Sequence, residues 1–233
     1  MEKVFLIGGP AFSGTTLLTL MLNQGDVVCL DEPDFHNPEQ SHRAIPFLQE
    51  LFPEKHFPKR PSQSLDYDEA VSLIQECEDA IAPLKLGIKT CDWTLMRYAR
   101  VCKVRGYRTI AIIRDIRDAL VRPLPEWVTE DSLNEAYRLI WNNLQTFDLC
   151  LRYEDLIANP AAEIAKVSAL LGYEFRVMSE WEPEGVPVHM VKLDRHELLK
   201  TGRLSAGRVG VWKSSGKTFS KQTQETAQLM GYQ

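Results

Sequence analysis

An apolar run passes through glycines straight into a helical pattern near the start of the chain: "VFLI" at residues 4–7 leads into "GGPAFSGTTLL" at 8–18. A strand that ends in glycines and hands over to a helix aims free backbone N–H groups and the positive end of the helix dipole at one spot. Such a segment fits an open sheet with an anion site at the strand's carboxyl end. Gly9 and Gly14 have the separation of the outer glycines in the phosphate loop G-x-x-x-x-G-K-[ST], but Thr15 stands where that pattern has lysine. Ser13, Thr15 and Thr16 offer hydroxyl donors in its place. The cation that would balance an anion has to come from another segment.

The remainder keeps the same alternation. Short runs rich in β-branched residues, "DVVCLDE" at 26–32, "LKLGIKT" at 84–90, "RTIAIIRD" at 108–115 and "FDLCLRYED" at 147–155, read as strands. Helical spacing fills "DYDEAVSLIQECEDAIA" at 66–82 and "DSLNEAYRLIWNNLQT" at 131–146. "NPAAEIAKVSALLGYEF" has proline near a helix start and glycine just past its end. This alternation predicts a three-layer α/β fold, a central, mostly parallel sheet flanked by helices. With 233 residues, 44% of them hydrophobic, the chain can bury one sizeable core, so residues 1–233 are expected to form a single domain. Phe35–Asp66, with its prolines, and Glu180–Lys217 read as long irregular loops of the kind that serve as lids.

Composition excludes several classes. The longest apolar runs fall far short of the roughly 20 residues that cross a bilayer, and no basic-then-apolar leader is evident, so a cytoplasmic protein without a membrane partner is expected. Cys29, Cys77, Cys91, Cys102 and Cys150 form no C-x-x-C pair and read as reduced thiols, neither a disulfide framework nor a metal site. A net charge of −5 argues against a nucleic-acid partner. Positive charge is nonetheless dense in "IIRDIRDALVR" and "TGRLSAGRVGVWK", which suits a small anionic ligand.

Four segments, in order, resemble those of the sulfotransferases that use 3′-phosphoadenosine 5′-phosphosulfate (PAPS) and share the P-loop NTPase-like fold. "GGPAFSGTTLL" is similar to their 5′-phosphosulfate loop, P-[KR]-S-G-T-T-x-L. "AIIRDIRDALVR" resembles the 3′-phosphate segment R-D-P-R-D-x-x-x-S, "LCLRYEDLIANPAAEIAKVSALLGYEF" the Y-E-D-L-x-x-x-P…L-G segment, and "GRVGVWK" the closing loop. The resemblance implies a sulfotransferase that moves a sulfuryl group from PAPS to a hydroxyl of a small-molecule acceptor and leaves 3′,5′-adenosine bisphosphate (PAP). It assigns Phe12, Ser13, Gly14, Thr15 and Thr16 to the 5′-phosphosulfate, and Arg114, Arg122 and Arg208 to the 3′-phosphate; the other reading of Arg114, directly after "TIAII", is an ion-pair partner for Asp115 or Asp118.

Two positions depart from the family's pattern. Phe12 replaces the lysine or arginine that donates to the bridging oxygen, and Arg122 replaces a serine. Arginine also binds phosphate, with full charge, whereas losing a donor to developing charge typically costs about 10²–10³ in rate. The resemblance points to Lys89, at the end of "LKLGIK", as the replacement cation, and to Glu32 as general base, with Asp31, Asp34 and His36 as neighbours able to serve. Arg43, Lys59 and Arg60 are further cations within the prolyl stretch. Trp212 either stacks on adenine or packs, while Glu154 and Asp155 brace the following helix. Two alternatives use the same residues: an ATP/magnesium-dependent small-molecule kinase with Asp31 or Glu32 near the metal, and a catalytically degenerate nucleotide-binding homologue in which Phe12 marks lost chemistry.

Overall fold

The computed structural model describes residues 4–33, 35, 38–59, 61–126, 128–177 and 206–233. Its centre is a sheet of β1 (Val4–Gly9), β2 (Val27–Asp31), β3 (Lys85–Cys91), β4 (Arg108–Ile113) and β5 (Leu149–Arg152), in the order β2-β3-β1-β4-β5. Every pairing is parallel. All five strands fall on runs that the sequence marks as extended, β3 continuing one residue further, to Cys91.

Alternate side chains divide the core. Val4, Leu6, Val28, Leu30, Ala111 and Ile113 face one cluster; Phe5, Ile7, Val27, Cys29, Ile110 and Ile112 face the other. A strand buried on both faces needs apolar residues at every position, which is why these strands read as continuous runs. The first cluster is covered by α2 (Pro38–Leu51), α3 (Tyr67–Ile81), α4 (Asp92–Val104), α5 (Ile116–Leu120), α6 (Glu130–Trp141) and α9 (Lys221–Leu229). The second is covered by α1 (Thr15–Leu22), α7 (Tyr153–Ala158) and α8 (Pro160–Leu171). The result is the expected three-layer α/β architecture.

Local chemistry sets the helix ends. Asp66 and Glu69 form a reciprocal capping box at α3, and Thr129 with Ser132 does the same at α6. In α8, Asn159 caps, Pro160 opens the first turn and Gly172 closes it in the left-handed region at φ 58°.

The prolyl stretch departs from expectation, because α2 runs through it with Pro46 inside the helix. An interior proline costs about 3 kcal/mol. Ala44, Ile45 and Leu48 are buried by that helix, and burying side chains of this size stabilises by roughly 1.5–3 kcal/mol each for the larger ones, enough to override the breaker. Residues 180–205 of the second predicted loop, including Trp181, lie outside the described residues. Its remainder forms two short 3₁₀ turns, Ala206–Arg208 and Val211–Ser214.

α1 carries the glycine loop and is buried along nearly its whole length, with Leu18 fully enclosed. Leu18→Ala is expected to lower unfolding stability by about 2–5 kcal/mol, read as a lower urea midpoint at unchanged slope.

Candidate anion-binding site

The carboxyl ends of β1, β2, β3 and β4 converge at one edge of the sheet. Gly9 of β1 is level with Cys91 of β3, and Lys89 is level with both Ile7 and Asp31. Between β1 and α1 the backbone makes a tight loop. A Cβ on Gly9 would lie 2.2 Å from the carbonyl oxygen of Ile112, so β4 is in direct contact with the loop's first residues. Ser13 N–H closes the turn on Pro10 C=O at 3.1 Å. Phe12 has φ 66°, unusual for a side chain of its size.

Gly14 is the N-cap of α1 at φ 106° and brings no side-chain cap, and the first turn carries no acidic residue. The N–H groups of that turn therefore lack the carboxylate or hydroxyl acceptors that satisfy α3 and α6. The Ser13 hydroxyl is fully buried and has no hydrogen-bond partner among the described residues. Thr15 is buried with its hydroxyl 3.9 Å from the Cys91 thiol, and Thr16 is half-buried. An uncapped positive helix end beside an orphaned buried hydroxyl is a donor set for an anion.

Two groups of charge flank this loop. On the β3 side, Lys89 is buried and pairs with Asp31 at 2.9 Å and Glu32 at 2.6 Å. Burial opposes the ammonium charge, but the Cys91 thiol, Glu32 and Asp31 around it prevail and hold its pKa above the ordinary lysine value. Glu32 sits at φ 47°, with its side chain about half exposed; it also accepts from the Cys91 thiol at 3.2 Å. Lys89 and Glu32 thus stand together at the strand ends, and Lys89 is held by two carboxylates instead of pointing at the loop unpaired.

On the β4 side is a group of arginines. Arg114 is buried, 4.4 Å over the Tyr153 ring, 3.7 Å from Asp118, and donates to the Arg208 carbonyl. Its Nε is buried with no partner among the described residues. Arg122, exposed after α5, lies 5.1 Å over the Phe12 ring. Surrounding protein and then the positive charges of Arg208 and Arg114 lower the Arg122 pKa. Asp118 also accepts the N–H groups of Gly210 at 2.7 Å and Trp212 at 3.1 Å, so one buried carboxylate fixes the closing segment. Lys217 adds a bond to Leu120 C=O at 2.7 Å.

Several of these residues carry no signal in isolation. Tyr153 lies against Gly14, where an added Cβ would meet its ring at 2.4 Å. Within "RDIRD", Asp118 is an ion-pair partner that the sequence offers for Arg114, while Arg117 goes unmarked. Arg117 chelates Asp115 through both carboxylate oxygens and covers the Trp212 ring at 3.7 Å. Glu154 accepts from Asp115 N–H and Tyr232 Oη, bracing the turn after β4 rather than its own helix. Asp34, His36 and Arg60 lie outside the described residues, as does the Arg43 side chain; Lys59 is exposed. Lys213 is exposed too, and Phe35 is buried in the core, with Phe47, Phe52 and Phe57 packed against it.

No protein-family model matches the chain, and no curated protein sequence is significantly similar to it. Its fold is that of sulfotransferases. The sulfotransferase domain from the curacin biosynthetic pathway superposes with TM-score 0.66 at 17% identity over 100% of this chain and 99% of that one. The domain from the Synechococcus PCC 7002 olefin synthase gives 0.61 at 15%, over 99% and 94%. Mouse sulfotransferase SULT7A1 complexed with PAP gives 0.51 at 16%, over 98% and 82%. At these identities the likeness is one of fold.

Removing Lys89 would leave Asp31 as an unpaired buried charge. Lys89→Met is expected to cost about 3–5 kcal/mol of stability, and Asp31→Asn in the same chain to recover most of it. A group whose folded pKa is raised contributes fully below its unfolded pKa, so the deficit should hold through the neutral range and shrink only above the ordinary lysine value of 10.5. Urea titrations across pH check both.

Proposed function

We propose that the protein is a sulfotransferase that binds PAPS and delivers its sulfuryl group to a hydroxyl of a small-molecule acceptor in the cytoplasm. The observation that carries this reading is the pairing of an uncapped, glycine-bounded helix start with a group of three arginines, Arg114, Arg122 and Arg208, at the neighbouring strand end. One anion site satisfies a mononucleotide; two adjacent ones suit an adenosine bearing phosphate at both ends. The orphaned Ser13 hydroxyl and Arg114 Nε are the kind of unsatisfied buried donors such a ligand would complete.

In this reading the N–H groups of the loop, with the Ser13, Thr15 and Thr16 hydroxyls, hold the 5′ end. Arg114 and Arg208 hold the 3′-phosphate. PAPS supplies an activated sulfuryl group: the acceptor oxygen bonds to sulfur as the bond from sulfur to the bridging oxygen breaks, and that oxygen keeps the electron pair.

The protein's part is to remove the acceptor's proton and stabilise the new charge. Glu32 takes the proton. Its carboxylate reaches the surface of the strand-end crevice while Lys89 holds one of its oxygens. Lys89 keeps Glu32 ionised and oriented, and Asp31 keeps Lys89 in place from the buried side.

The kinase alternative is separated by ligand preference. PAP at about a hundred times its dissociation constant should raise stability by about 2.7 kcal/mol, a shift of roughly 5–10 °C for a chain of this size. ADP with magnesium should give a much smaller shift; a preference for ADP with magnesium would overturn the assignment. Glu32→Gln should slow formation of PAP from PAPS by about 10²–10⁴ with PAP affinity unchanged, and unaltered turnover would remove Glu32 as base.

A further inference from the structure

The loop's missing cation has a candidate other than Lys89. Among the described residues Asp118 is the carboxylate that pairs with any of the three clustered arginines, and its partner is Arg114. Arg122 has no hydrogen bond or ion pair to a described residue; its contact is the Phe12 ring, 5.1 Å from its guanidinium carbon, within the range of a cation–π interaction. Phe12 occupies the loop position where a lysine or arginine would donate to the bridging oxygen.

Gly14, two residues on, is overlaid by Tyr153, which carries Arg114 at 4.4 Å. The loop from Phe12 to Gly14 therefore involves two aromatic rings, each bearing a guanidinium, and the Ser13 hydroxyl within it has no partner among the described residues. Phe12 is held at φ 66°, a left-handed conformation that a non-glycine residue of this size adopts only when its surroundings impose it. Conformation and ring contact together argue for a device rather than a vestige.

We infer that Phe12 is a positioning residue whose ring carries Arg122 to the 5′ end of the nucleotide, so that Arg122 supplies there the positive charge the loop itself lacks. This rests on the PAPS reading and reassigns one residue within it: Arg122 serves the phosphate next to the transferred sulfuryl group and not the 3′-phosphate. An arginine on an aromatic platform is a reasonable substitute for a loop lysine. Its planar, weakly hydrated guanidinium stacks on a ring face and keeps its N–H donors at the rim.

The two ends of the nucleotide can be separated by binding alone, using the full chain and three probes: PAP, adenosine 5′-phosphate and adenosine 3′-phosphate. Arg122→Ala should weaken PAP and adenosine 5′-phosphate by the same factor, about tenfold or more for a lost hydrogen bond to a charged group, and leave adenosine 3′-phosphate unchanged. Phe12→Leu, which keeps the apolar bulk, should weaken the 5′ ligand about threefold and spare the 3′ ligand, a split that general loosening of the fold would not produce. Phe12→Lys in the Arg122→Ala chain should restore 5′ binding. A loss confined to adenosine 3′-phosphate and PAP, or no loss for any probe, overturns the inference while the PAPS reading stands. If the unaltered chain binds none of the three, the PAPS reading fails and takes this inference with it.

Discussion

The contact of Tyr153 with Gly14 is the constraint on which the site depends. Gly14 must take a left-handed conformation to turn the chain from β1 into α1, and the ring of Tyr153 fills the space where any Cβ would go. Because Tyr153 follows β5 directly, this contact ties the glycine loop to the far side of the sheet, across β4. Arg114 lies over the same ring at 4.4 Å and reaches both Asp118 and the closing segment. A single aromatic side chain therefore sets the distance between the helix start and the arginine group. Loops of this kind are the parts of a domain most easily displaced; here the loop is wedged between backbone at Ile112 and a ring at Gly14.

The electrostatics divide into two halves with opposite bias. Around Lys89, two carboxylates face one ammonium, so the group carries excess negative charge and suits proton uptake. Around Arg114, Arg122 and Arg208, guanidinium groups outnumber their paired carboxylate, so that side carries excess positive charge and suits a polyanion. Keeping them apart matters chemically. In the proposed reaction a further cation against Glu32, beyond the Lys89 that it already contacts at 2.6 Å, would lower its affinity for the acceptor's proton, while a carboxylate placed against the leaving phosphate would oppose the charge that grows there. Asp118 and Arg117–Asp115 show how the arginine segment limits such mixing: its acidic residues grip backbone N–H groups and the guanidinium groups of Arg114 and Arg117.

Much of the architecture is legible in the sequence because a parallel sheet with covered faces requires uninterrupted apolar strands, and "VFLI", "VVCL" and "TIAII" can be little else. The helix at Pro38–Leu51 was hidden because proline marks an average cost, and the burial of Ala44, Ile45 and Leu48 that overrides it is a tertiary fact. Residues of the candidate site divide in the same way. Gly9, Ser13, Gly14 and Arg114 announce themselves by spacing and by position at a strand end. The contact of Tyr153 with Gly14 does not, nor does the grip of Asp118 on the closing segment, since both exist only once β5 and that segment have packed against the loop, whereas Asp118 as an ion-pair partner of Arg114 is legible from their spacing. The ion pairing of Lys89 was equally out of reach: "GIK" and "LDE" show a cation and two anions at strand ends, and only the register of β2 against β3 makes them neighbours.

The arginine group on the β4 side also bears on why one loop substitution need not end the proposed transfer. In a site whose charge came from the loop alone, phenylalanine at position 12 would remove the one contribution on which turnover depends. Here positive charge is distributed over elements that meet the loop from the β4 side and from the closing segment, and the ring at position 12 provides a surface on which one of those charges can rest. A unit charge about 4 Å from a developing anion contributes roughly 4 kcal/mol at an effective dielectric near 20, comparable to the rate effect of a lost donor. What the geometry demands is that the charge be held at the right end of the ligand. A flexible arginine at the protein surface would lose much of that value to side-chain entropy, and a ring that accepts its guanidinium reduces the loss before any ligand arrives.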